Sequence, residues 1–446
     1  MLELGVTHCL AALAAGDTTS VQLANLALDR IADPSGEGAR VFRDVFTSTA
    51  LAEAEASDRR RAAGEPLGRL DGVPVSVKDL FDIAGYVTMA GSVALASDPA
   101  AQADAEVVAR LRAEGAVIVG RTNMTELAFS GLGLNPHHGT PANPWDRAAR
   151  RIPGGSSSGA AVSVADGMAA AGIGSDTGGS VRIPAALCGL AGFKPTQGEV
   201  SRAGVYPLSP TLDSIGPIAP TIADCVLLHG ILSGADVSPA TYDTPPGFLV
   251  PSNYVTGGID DTVATAFAAA LDRLEAAGVK LDCKTVAAFE RLPEMGKIGA
   301  YPGIEAFASE KDRLAATPDA FDPRVSARIL AAGNLPADAK DRLDAARAVY
   351  IAELEAEMQG YDGLLMPTVP TIAPRMEDLA DDGAYGTANL LMLRNPTAVN
   401  ILGGCAASLP LRGADGAPVG LSVAGAAGAD AQVLGLALHL ADILLH

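Results

Sequence analysis

The chain has 446 residues, of which 48% are hydrophobic, 19% charged and only 4% aromatic, and its formal net charge at pH 7 is −20. A chain of this length and composition can bury a large, mainly aliphatic core without covalent or metal staples. The acidic balance argues against a face for the phosphate backbone of a nucleic acid, and five scattered cysteines with no C-x-x-C pair argue against zinc or disulfide frameworks and for a reducing cytoplasm.

The opening MLELGVTHCLAALAAGDTTS has an apolar stretch with Glu3 in it and no Lys or Arg ahead, which does not fit a secretory leader. No apolar run reaches the roughly 18 residues of a membrane span. Thr19-Ser20-Val21-Gln22 reads as a capping box that opens a helix running to about Ile31. A second helical pattern covers 50–63. Residues 73–77 form a short buried strand with Lys78 at its end, 105–114 a helix stopped by Gly115, and 116–119 another strand. The run 153–184, PGGSSSGAAVSVADGMAAAGIGSDTGGSVRIP, mixes Gly/Ser turns with apolar stretches that no flexible linker would carry. It predicts a helix at 159–165, a strand at 169–174, a turn at 176–179 and a helix at 180–187, followed by a strand at 190–193. Residues 238–248 read as a surface loop and 260–360 as a more helical region. Strands at 363–366 and 420–424 return to the main sheet, and a helix at 430–444 closes the pattern. This alternation predicts an α/β fold.

Three stretches carry chemistry. In GVPVSVKDLFDIAG (72–85) burial at a strand end would lower the pKa of Lys78 and suit it to act as a base, although a lysine there could also extend its ammonium to solvent. GGSSSG (154–159) and DTGGSVRIP (176–184) are the others. Gly178 and Gly179 leave backbone N–H groups uncovered before a helix, so Ser180 reads either as a nucleophile beside an oxyanion hole or as an N-cap. A phosphate loop ending in Gly-Lys-Ser/Thr and a G-x-S-x-G elbow are both missing. The six histidines (His8, His137, His138, His229, His439 and His446) supply no evident triad partner, and no His/Asp/Glu cluster has metal-ligand spacing.

Together these blocks resemble the amidase signature family. The likeness extends through LDGVPVSVKDLFDIAG, ADAEVVARLRAEGAVIVGRTNMTELAFS, ANPWD, PGGSSSGAA, GSDTGGSVRIPAALCGLAGFKPTQG, SPTLDSIGPIAPTIAD and YDGLLMPTVPTIAP, densest from about 65 to 230. It implies a single domain over 1–446, a twisted mixed sheet flanked by helices on both sides, with its core at about 65–230 and 360–446 and a helical insertion at about 260–360. Lys78 matches the family's base, Ser156 the bridging serine held through a cis peptide, and Ser180 the nucleophile. Thr177, Gly178 and Gly179, with the Ser180 amide, match the oxyanion hole. Asp176 and Arg182 match residues that brace the loop, and Ser157 a supporting hydroxyl. Ser158 departs from the glycine that many members carry. The resemblance also places acyl-side contacts at Leu127, Ala128, Phe129, Gly131 and Leu132, with Tyr301 and Ile304 beside them, and so an apolar or aryl acyl group. It implies no cofactor, no nucleic acid or membrane contact, and a small-molecule amide, carbamate or urea as substrate. Homodimers are common among such proteins, and nothing in this sequence specifies one. The competing reading is the amidase-type component of a tRNA-dependent amidotransferase, which works only with partner proteins and often has an aromatic-rich stretch after an RRI segment. Here Arg328-Ile329 is followed by LAAGNLPADAKDRLDAARAVY, without that cluster, which favours a free-standing hydrolase.

Overall fold

The computed structural model describes residues 1–242 and 244–445, so Asp243, inside the expected 238–248 loop, and His446 lie outside the described residues. Eleven strands form one sheet: β1 (Phe42–Val45), β2 (Pro74–Lys78), β3 (Val117–Thr122), β4 (Ala171–Asp176), β5 (Ala191–Lys194), β6 (Ser214–Ala219), β7 (Gly247–Pro251), β8 (Lys280–Lys284), β9 (Gly363–Pro367), β10 (Cys405–Arg412) and β11 (Pro418–Gly425). Their order is β1-β3-β2-β4-β6-β5-β10-β11-β9-β7-β8. β3, β2 and β4 run parallel, as do β9, β7 and β8, while the pairs between these groups are antiparallel. Every residue of β2, β4, β6, β9 and β11 is buried. Strands buried along their whole length need cover on both faces, and the helices supply it. Asp430–Leu445 packs on β10 and β11, Ile222–Ser233 on β6, and Ser158–Ala165 on β4.

Local signals acted where they were expected. Thr19 Oγ1 accepts from the Gln22 N–H, and the Gln22 side chain accepts from the Thr19 N–H, opening the helix Ser20–Ala32. The remaining predicted helices and strands lie within a few residues of their expected positions, including Thr47–Ala62, Glu106–Ala113 and Arg182–Cys188. Five strands, β1, β6, β7, β8 and β10, and the helix Asp382–Leu402 were not read from the sequence, and prolines hid three of these elements. β6 and β10 each carry a proline, Pro217 and Pro410, which reads against a strand inside a sheet. The helix Asp382–Leu402 holds Pro396 in its interior, where it removes a backbone donor and hides the helical pattern. The last two residues of the expected 238–248 loop, Gly247 and Phe248, instead begin β7.

Among the described residues no helix is long and apolar enough to cross a membrane. The five cysteines are free, with Cys283 alone exposed.

Candidate active site

Parallel pairing of β2 and β4 sets the site. Val77 aligns with Ile173, so Lys78, the last residue of β2, arrives beside Ser175 and Asp176 at the end of β4. The Lys78 side chain is fully buried, and its Nζ donates to Ser156 Oγ at 2.7 Å and Ser175 Oγ at 2.9 Å. Burial pulls its pKa down to about 7 against the opposing pull of Asp176 and Asp213. An ammonium has three donors, and among the described residues it meets two acceptors here.

Ser156 follows a cis peptide bond from Gly155. Its carbonyl accepts from the Thr125 N–H at 3.1 Å, while Gly155 N donates to Gly131 O at 2.8 Å. A Cβ at Gly155 would fall 2.5 Å from Gly133 N, so only glycine lets these two backbones approach. Ser157 joins the serine loop to the nucleophile candidate: its N–H donates to Ser180 O at 3.3 Å and its Oγ to Ser175 O at 3.3 Å.

The turn between β4 and the helix Arg182–Cys188 is wound around a buried carboxylate. Asp176 accepts from the N–H groups of Gly179 (2.8 Å) and Val181 (3.2 Å), from Arg182 Nε and Nη2 (both 3.0 Å), and from Asn400 Nδ2 (2.8 Å). Burial alone would raise this carboxyl. The Arg182 guanidinium, with Lys194 and Asn400, outweighs burial and holds it well below the usual carboxylate range. Arg182 Nη2 also reaches Asn400 Oδ1 at 2.6 Å and Pro396 O at 3.2 Å, which ties the turn to the helix Asp382–Leu402. Asp176→Ala would leave Arg182 charged and buried, and we expect it to lower the unfolding free energy by about 3–5 kcal/mol. Urea denaturation would read this as a lower midpoint; an unchanged midpoint would contradict the bracing role.

The Gly179 N–H, grouped by sequence with the oxyanion donors, is committed to Asp176. A glycine is needed there for another reason: its φ is +121°, and a Cβ would lie 2.6 Å from the Pro396 ring. Among the described residues the N–H groups of Thr177, Gly178 and Ser180 have no protein acceptor. Thr177 Oγ1 is anchored to Asp213 Oδ1 at 2.6 Å. Asp213 in turn receives the N–H groups of Leu208 and Ser209, each at 3.0 Å.

A cavity of about 440 Å³ opens on Ser180, Thr177 and Gly178. Ala128, Phe129 and Tyr301 line it as expected. Leu127, Gly131, Leu132 and Ile304 do not. Leu127 and Leu132 are buried in the core, the Gly131 N–H is spent on Asn389 Oδ1 at 2.9 Å, and Ile304 packs against the cluster containing Tyr301. Further walls come from residues that were not named as pocket candidates, among them Leu292, Met295, Arg328, Asn389 and Arg394. Ser175 and Asp213 lie within the blocks of resemblance but were given no role there, and nothing local marked Asn400, whose partners Asp176 and Arg182 lie far along the chain. His137 Nε2 lies 2.9 Å from the buried Glu126 carboxylate, and burial pulls the pKa of His138 down to about 4. Among the described residues no cluster of three or more His, Cys, Asp or Glu could hold a metal ion.

Comparison with known proteins settles the family. The model of the family described as Amidase matches residues 25–434. The chain belongs to the amidase family. It is 35% identical over 400 residues to a 2-amino-5-chloromuconic acid deaminase of Comamonas testosteroni, covering 89% of this chain and 86% of that one. It is 34% identical over 461 residues to a component of the glutamyl-tRNA(Gln) amidotransferase of Chloroflexus aurantiacus, covering 95% and 93%. A crystal structure of an amidase superposes with a TM-score of 0.89 at 32% identity, over 99% of this chain and 100% of the other. Membership makes the chain a hydrolase of carbon–nitrogen bonds.

Proposed function

We propose that this amidase cleaves the amide bond of a small molecule through an acyl-enzyme on Ser180, with Lys78 and Ser156 relaying the proton. The observation that carries this reading is the contact between the buried Lys78 Nζ and Ser156 Oγ, in a pocket where the amine meets hydroxyls rather than a carboxylate. Neutral Lys78 takes the proton of Ser156 Oγ, which takes that of Ser180 Oγ as the latter bonds to the carbonyl carbon. The negative charge that grows on the carbonyl oxygen is received by the unpaired N–H groups of Thr177, Gly178 and Ser180. One well-aimed donor of this kind contributes about 2.7–4 kcal/mol to transition-state stability. Gly179, with its N–H held by Asp176, shapes the turn instead. The proton returns along the same path to the leaving nitrogen as the C–N bond breaks, and water then releases the acid from Ser180. Carbamates and ureas present the same carbonyl–nitrogen bond and fall within the same chemistry.

The test is labelling with a fluorophosphonate followed by peptide mapping. We expect a single adduct on Ser180. Full activity in a protein that carries no adduct there would reject the reading.

The relatives that are components of glutamyl-tRNA(Gln) amidotransferases support a second reading, in which the ammonia passes to a partner protein. Ammonia release from simple amides by the purified chain alone separates the two. We expect release, since the 328–350 segment lacks an aromatic cluster. The free cysteines fit a reducing, cytoplasmic setting.

A further inference from the structure

Two buried carboxylates act on the Lys78 amine, Asp176 and Asp213, and they are held differently. Asp176 is paired with the Arg182 guanidinium, whose Nε lies 3.0 Å from Oδ2. Every group that donates to Asp213 is neutral: Thr177 Oγ1 to Oδ1 at 2.6 Å, and the N–H groups of Leu208 and Ser209 to Oδ2 at 3.0 Å each. Such donors satisfy the oxygens without cancelling the charge. The cation that faces Asp213, Arg202, gives its Nη1 to Pro210 O at 2.8 Å. Burial raises the Asp213 carboxyl above its ordinary range, against the pull of Thr177, the two N–H groups and Arg202.

Strand register puts this carboxylate where it is. β4 and β6 pair antiparallel with Asp176 opposite Ser214, so the next positions along, Thr177 and Asp213, meet just beyond the strand ends. Ser175, which accepts from Lys78 Nζ, shares with Thr177 and Asp213 the lining of a cavity of about 10 Å³. The loop that carries Asp213 is fastened from the helix Tyr301–Ala316: Glu305 accepts from the hydroxyls of Ser209 and Thr211 and from the Thr211 N–H at 3.1 Å. Lys340 Nζ lies 4.0 Å from the same carboxylate. Asp213 is therefore a fixed charge at the junction of the 176–182 turn and the 208–213 loop.

We propose that Asp213 is a positioning residue for the hydrolysis: through Thr177 Oγ1 it aims the Thr177 N–H at the substrate carbonyl oxygen, and through its charge it supports the ammonium formed when Lys78 takes the relayed proton. This rests on the hydrolytic reading of Ser180. The first half follows from the anchor, since a small misplacement of a donor weakens its hold on the developing oxyanion. The second follows from burial. An ammonium that forms out of water is costly unless a negative charge stands near it, and the one carboxylate of the two that is not paired with a guanidinium is Asp213. Asp213 and Asp176 both raise the Lys78 pKa against burial.

The experiment uses the full chain and follows the rate of fluorophosphonate labelling at Ser180 between about pH 5 and 9. Asp213→Asn removes the charge and can keep all three contacts, because its Oδ1 accepts from the two N–H groups while Nδ2 donates to Thr177 Oγ1. With the negative charge gone the neutral amine persists to lower pH. The rise of the labelling rate should then move about one unit towards acid, with a lower plateau because the amine is a weaker base. Thr177→Val removes the anchor and leaves both carboxylates, so the plateau should fall about 10- to 100-fold while the rise stays at the parent pH. Reading the position of the rise cancels a loss of folded protein, and a purely structural aspartate would not move it. A rise that stays in place or moves towards alkali in Asp213→Asn, or a Thr177→Val plateau equal to the parent's, overturns the proposal. A parent chain that takes no adduct at Ser180 rejects the serine mechanism itself; an adduct with an unmoved rise in Asp213→Asn rejects this inference alone.

Discussion

Ser180→Ala is expected to lower kcat by about 10⁶-fold, towards the uncatalysed background, because it removes the only atom proposed to bond to the carbonyl carbon. The fold should survive. The Ser180 hydroxyl faces the cavity, and among the described residues it braces no other group. An equal melting temperature with lost turnover is therefore the expected pair of results. Ammonia release above about one hundredth of the parent rate would place the nucleophile elsewhere.

Lys78→Ala comes second in size, with an expected loss of about 10²–10⁴-fold in kcat/KM. The pH profile separates a base from a merely structural lysine. The relay needs the neutral amine, and burial brings its pKa to about 7. Below that value the amine is protonated, so kcat/KM should climb about tenfold per pH unit up to about 7 and level off above it. The sign follows from the depressed pKa: raising the pH supplies the active form. In Lys78→Ala the residual rate should lose this limb. A parent profile that stays flat between pH 5 and 8, or falls as pH rises, would remove Lys78 from the relay. Ser156→Ala should resemble Lys78→Ala rather than Ser180→Ala, since it interrupts the proton path but leaves the attacking oxygen.

The candidate site was legible through a resemblance, because taken one by one its residues also fit structural roles: a lysine with its head in solvent and a serine N-cap. A lysine closing an apolar strand, a Gly/Ser turn entering a helix, and Gly-Gly before a serine are each local arrangements of backbone and burial. The structure draws Lys78, Ser156 and the 176–182 turn together, as their shared place at the ends of β2 and β4 demands. The substrate side was read less well. The segment around Phe129 does reach the cavity, yet Leu132 and Gly131 turn away from it. Consecutive residues around the left-handed Leu127 and Ala128 cannot all face one hollow.

The sequence by itself determined the cap at Thr19, six of the eleven strands and the glycine-rich turns, since each depends on neighbours a few residues away. Only the tertiary structure decided which groups complete them. Asn400 reaches Arg182 across 218 positions, Asn389 reaches Ser130 across 259, and Arg328 reaches Phe129 across 199. Two of these partners lie on a helix whose proline masks it from any local reading. Partners so far apart in sequence meet only after the sheet has formed, and no short-range pattern of residues encodes that meeting.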